Sequence, residues 1–91
     1  NRGGVLASVA GKLKATAATV LDNGKSLTAA DEAGLIQAQS INLGAQQSLL
    51  NSGGQIAALS GDTQITSTIL DNQNGALLAK QALNVRATHL N

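Results

Sequence analysis

An all-β chain, a parallel β-helix (β-solenoid) of about four coils of 20–22 residues with three short strands each, is the fold class the sequence predicts. Three observations predict it. A four-residue Asn/Asp-x-x-Gly signal recurs along the chain, aliphatic residues follow each signal at strand spacing, and the core inventory holds only small and medium side chains.

The recurring signal is Asn1-Arg2-Gly3-Gly4, Asp31-Glu32-Ala33-Gly34, Asn51-Ser52-Gly53-Gly54 and Asn72-Gln73-Asn74-Gly75. These read as structural turns, with Gly and Asn expected to supply positive φ at the corners. Two positions after each closing Gly stands an aliphatic residue: Leu6, Ile36, Ile56 and Leu77. Two further on stands a small one, Ser8, Ala38, Ala58 or Ala79. A spacing of two places both side chains on one face of a strand.

A second aliphatic position aligns as Leu13, Leu43, Ile65 and Val85, each followed two residues later by Ala or Ser. A third aligns as Leu21, Leu50, Leu70 and Leu90, each followed directly by Asp or Asn. These are the expected core columns, because equivalent residues of stacked coils lie about 4.8 Å apart along the axis. Lys14, Gly44, Thr66 and Arg86 are then expected to form one outward column. Asn and Asp at equivalent turns could bond along the axis, since a carboxamide both donates and accepts. The repeats occupy residues 1–22, 31–50, 51–71 and 72–91, and residues 23–30 read as a loop insertion.

The 91 residues contain no Phe, Trp, Tyr, Met, Cys or Pro. A compact globule of this size would lack the aromatic area that normally fills a small core. Stacked coils need it less, because each is covered by its neighbours. A net charge of +1, with basic residues scattered, leaves no nucleic-acid footprint. The absence of cysteine excludes disulfide and thiolate-metal frameworks. Neither end carries a recognisable cap, so residues 1–91 are expected to be a single interior slice of a longer shaft.

A helical reading competes over residues 76–86 and Leu13 to Leu21, which are rich in helix formers, and Thr28-Ala29-Ala30-Asp31 approaches a capping box. It leaves the aligned turn signals unexplained and scatters Gly through helix interiors.

Leu-Asp-Asn at 21–23 and 70–72, a Gly shortly after, Gly-Ala-Leu-Leu-Ala at 75–79 and a repeat of about 20 residues together resemble the haemagglutinin repeats of the filamentous haemagglutinin family. These are the large exoproteins of two-partner secretion, of Bordetella type. The resemblance covers the chain apart from the insertion. It implies a right-handed parallel β-helix shaft, secreted through an outer-membrane transporter and displayed on a bacterial surface. It implies an adhesin that holds binding domains toward host-cell receptors or glycans, with neighbouring repeats of the same chain as its immediate partners. Toxins of contact-dependent inhibition use similar shafts. The family's secretion domain has no counterpart in these residues, and no Arg-Gly-Asp tripeptide is present.

Candidate chemistry is thin. His89 is the one histidine, without ligand partners at metal spacing, so no metal and no cofactor is expected. Asp22 and Asp71 stand at equivalent turns about 10 Å apart, near the upper limit for inverting glycosidase carboxylates. Turn capping explains them more simply, and no catalytic residue or enzymatic activity is expected. Lys12, Lys14 and Arg86, with Lys80 also basic, are the candidate glycan contacts, although they form only a thin basic strip and a solvated face accounts for them better.

Overall fold

A computed structural model describes residues 5–8, 11–24 and 34–90. Among them the chain is all-β, with parallel strands and no helix. The strands are β1 (Val5–Ala7), β2 (Lys12–Ala17), β3 (Val20–Asp22), β4 (Leu35–Ala38), β5 (Ser40–Ala45), β6 (Ser48–Leu50), β7 (Gln55–Ala58), β8 (Thr63–Asp71), β9 (Ala76–Ala79) and β10 (Leu83–Leu90). One sheet runs β1-β4-β7-β9. The other runs β2-β5-β8-β6-β3, with β10 also on β8. Neither segment open to the helical reading is helical: β2 and β3 overlap one, and β9 and the first half of β10 fall in the other.

Strand formation follows from period-two patterning. Along β8 burial alternates over Thr63–Thr68, with Thr63, Ile65 and Ser67 inside and Gln64, Thr66 and Thr68 outside. The strand is long enough to serve two neighbours. Its first half pairs with β5 through Ile41↔Thr63 to Gly44↔Thr66, and its second half with β6 through Ser48↔Ile69 to Leu50↔Asp71. Three residues separate Gly44 from Ser48 where two separate Thr66 from Ile69, so this corner is one residue longer in the second repeat than in the third.

The core is a set of inward columns. Leu6, Ile36, Ile56 and Leu77 are in register across the first sheet. In the second sheet one column is Leu13, Ile41, Thr63 and Leu83, and the next is Ala15, Leu43, Ile65 and Val85. The expected alignment of Leu13 with Leu43 is therefore off by two residues. The cause is the preceding corner: only Gln39 and Ser40 separate Ala38 from Ile41, whereas four residues separate Ser8 from Leu13. The expected outward column separates in the same way. Lys14 pairs with Asn42 and leads to Gln64 and Asn84, while Gly44, Thr66 and Arg86 align with Thr16.

The third column also needs correction. Leu21, Leu49 and Leu70 are in register, followed by Leu90, and Leu49 is fully buried. Leu50 instead pairs with Asp22 and Asp71 and is half-buried. The extra corner residue moves it outward. Thr63, the polar member of its column, is fully buried, and its hydroxyl donates to the Leu78 carbonyl at 2.9 Å.

The turns carry a carboxamide ladder. Asn23 Nδ2 donates to Asn51 Oδ1 at 2.8 Å, and Asn51 Nδ2 donates to Asn72 Oδ1 at 2.7 Å. The same amides reach the carbonyls of Gln55 and Ala76 at 3.0 and 3.1 Å. Asn23 thus takes the ladder position expected of Asp31, and with Gly24 it belongs to the framework, not to the insertion. Asn1, Gly4, Asp31 and residues 25–30 lie outside the described residues. Gly34 N–H donates to the Gly24 carbonyl at 3.1 Å, so the chain on either side of 25–33 is held together at the base.

The closing glycines serve a purpose other than the one expected. Positive φ falls one residue earlier, at Gly53 (70°) and Asn74 (57°). At Gly54 an added Cβ would collide with the Asn23 carbonyl, and at Gly75 with the Asn51 carbonyl. Each is glycine because the ladder brings the backbone of the preceding repeat too close for a side chain.

Candidate functional site

The outer face of the second sheet gathers the polar side chains. β2, β5, β8 and β10 each turn alternate residues outward, which gives the column Lys14, Asn42, Gln64, Asn84 beside the column Thr16, Gly44, Thr66, Arg86. All are exposed except half-buried Gly44. No aliphatic side chain longer than alanine interrupts the two columns, so the face is a lattice of amides and hydroxyls with cations at opposite edges.

The candidate glycan contacts are split by this arrangement. Lys12 and Lys14 share β2, where Lys12 pairs with Ser40. Arg86 lies on β10, three strands away, roughly 14 Å at the usual strand separation. Lys80 follows β9, on the other sheet. Between the two edges run shallow depressions. One is lined by Lys12, Lys14, Ser40, Asn42, Asp62 and Gln64. A second shares Gln64 and continues to Thr66, Asn84 and Arg86. A third shares Thr66 and reaches Thr16 and Thr68 around the gap left by Gly44.

Sequence reasoning missed Ser40, Asn42, Asp62, Gln64 and Asn84. Their signal was the alternation within each strand, hidden once the Lys14 column had been misaligned. Amides and hydroxyls at about 4.8 Å spacing suit the hydroxyl array of an extended sugar chain, and the cations suit a carboxylate or sulfate on it.

The other candidates are occupied locally. Asp22 Oδ1 accepts from Gly24 N–H at 2.8 Å, and Asp71 Oδ1 accepts from Gln73 N–H at 3.1 Å. Each caps the turn directly after it. His89 is exposed and pairs in register with Ile69. Among the described residues no group of three or more His, Cys, Asp or Glu is placed to hold a metal ion. No helix among them is long and apolar enough to cross a membrane.

No protein family, curated protein or solved structure matches this chain.

Proposed function

We propose that the chain is a right-handed parallel β-helix and that it works as a structural segment of the rod-like shaft of a secreted bacterial surface adhesin. One observation carries the reading: the same inward columns and the same Asn ladder continue through successive repeats with every strand pair parallel. Such a stack transmits load along backbone pairing and lengthens by about 4.8 Å per repeat. The resemblance of Leu-Asp-Asn and Gly-Ala-Leu-Leu-Ala to haemagglutinin repeats supplies the adhesin context, with export through an outer-membrane transporter and display of binding domains to host cells. A contact-dependent inhibition toxin would use the same shaft, and the flanking domains distinguish the two.

The test is the length of tandem copies. Small-angle scattering from one, two and three fused copies should show the longest dimension growing by about 19 Å per four-repeat copy at constant cross-section. Growth in all dimensions would sink the shaft reading.

A second reading is favoured by the run of depressions across the polar face: a glycan-binding surface on the same shaft. Retention on a heparin column at low salt, lost in the Lys12→Ala, Lys14→Ala, Arg86→Ala triple variant, would support it. Retention unchanged by the triple variant would remove this face from consideration.

A further inference from the structure

We infer that Asn74 is a site of spontaneous covalent modification, where asparagine ages to isoaspartate and loosens the neighbouring rung of the ladder. The inference rests on the geometry of the turns and is independent of the adhesin reading.

The reaction needs an asparagine followed by a residue with no side chain to obstruct attack. Two pairs in the sequence meet this requirement, Asn23-Gly24 and Asn74-Gly75. In each the nucleophile is the glycine backbone nitrogen, which attacks the asparagine Cγ. A C–N bond forms, the carboxamide C–N bond breaks, and the nitrogen's proton leaves with the departing ammonia. Water then opens the cyclic imide at either carbonyl, giving aspartate or isoaspartate without any redox partner.

The fold treats the two pairs differently. Asn23 is fully buried, and its Nδ2 donates to Asn51 Oδ1 at 2.8 Å and to the Gln55 carbonyl at 3.0 Å. Attack on its Cγ requires the rung to open. Gly24 N–H also donates to the Asp22 carboxylate at 2.8 Å, and that negative charge opposes loss of the amide proton. Asn74 is no rung. It is exposed on the outside of its turn at a φ of 57°. Gly75 N–H donates to a neutral acceptor, the Asn72 carbonyl, at 3.0 Å, so opening that one turn bond frees the nucleophile. The exposure belongs to the corner and not to its place in the chain. At the equivalent corner Ser52 is exposed and Gly53 half-buried, although the turn at 72–75 is stacked on them through the Gly53 N–H bond to the Gln73 carbonyl.

Isoaspartate carries one extra carbon in the main chain. Gly75 already lies so near the Asn51 carbonyl that a Cβ would collide with it. The longer link therefore displaces Gly75 and weakens the bond from Asn51 Nδ2 to Asn72 Oδ1.

Incubation of the folded 91-residue chain at mildly alkaline pH tests this, read by peptide mass spectrometry and isoaspartate-specific enzymatic methylation. Residue 74 should convert at least about tenfold faster than residue 23, the factor set by opening one buried hydrogen-bonded pair. In urea the two should react at similar rates, since both are Asn-Gly. Asn74→Gly, which accepts positive φ, should abolish the reaction at that corner. Ageing should lower the urea midpoint of the wild type, followed by circular dichroism, and leave that of Asn74→Gly unchanged. Equal rates at 23 and 74 in the folded chain overturn the assignment, as does an unmodified residue 74 when the urea sample reacts. Isoaspartate at 74 with an unchanged midpoint overturns the link to the ladder.

Discussion

Asn23 Nδ2 donates to Asn51 Oδ1 at 2.8 Å across 28 residues of sequence, and the two side chains are both fully buried. Asn51 is the middle rung, bonded on both sides, so its loss strands partners in two neighbouring repeats. Asn51→Ala should cost about 3 kcal/mol, from buried donors and acceptors left without partners. Asn72→Ala, at the end of the ladder, should cost about 1 kcal/mol. Asn51→Asp should resemble the alanine variant at neutral pH, because a carboxylate cannot donate to Asn72 Oδ1. Urea titration monitored by circular dichroism measures all three.

Glycine position by position is the next prediction. Gly75→Ala places a methyl group against the Asn51 carbonyl and should lose about 3 kcal/mol. Gly44 is different: a Cβ there has only the Thr66 carbonyl within 4 Å, at 3.9 Å. Gly44→Thr should therefore gain about 0.5–1 kcal/mol, by removing glycine from a strand interior. Equal losses at both sites would contradict the close approach described at Gly75.

Adjacent leucines provide a test of register. Leu49 is fully buried, while Leu50 sits outward between Asp22 and Asp71. Leu49→Ala should cost about 3 kcal/mol, in the usual range for a buried leucine. Leu50→Ala should stay within about 0.5 kcal/mol of wild type. The reverse order in a denaturation series would restore the alignment of Leu50 with Leu70.

Loop shortening is the fourth. Asn51 and Asn72 are each followed by two residues and then Gly, whereas ten residues separate Asn23 from Gly34. Replacing those ten by Ser-Gly should preserve the fold and gain about 1 kcal/mol through a smaller loop-closure cost. A large loss would mean that residues 25–33 contribute packing of their own.

How far the sequence reveals this arrangement depends on which corner is crossed. The column Leu6, Ile36, Ile56, Leu77 is legible because the step from the turn Gly to the first aliphatic residue is always two, the strand beginning directly after a sterically constrained turn. Past Ala38 and its equivalents the chain passes an open corner with two to four residues, and Leu13 can be aligned with Leu43 or with Ile41 equally well. The third strand suffers from the additional residue between Gly44 and Ser48, where Leu49 and Leu50 are chemically identical choices. The polar face was visible only as Lys12, Lys14 and Arg86, since its amide columns appear once the register is known. Asn23 was hidden by Asp31, which mimics a turn residue eight positions later.

The bond between Gly24 and Gly34 lets the polypeptide leave the framework and return at one point, with the ladder rung beside it intact. Such a junction is a natural port for cargo. A peptide epitope or a small folded module whose termini lie close together should be accepted there without altering the phase of the later repeats. Lineages and engineers alike could decorate the scaffold by editing a single corner.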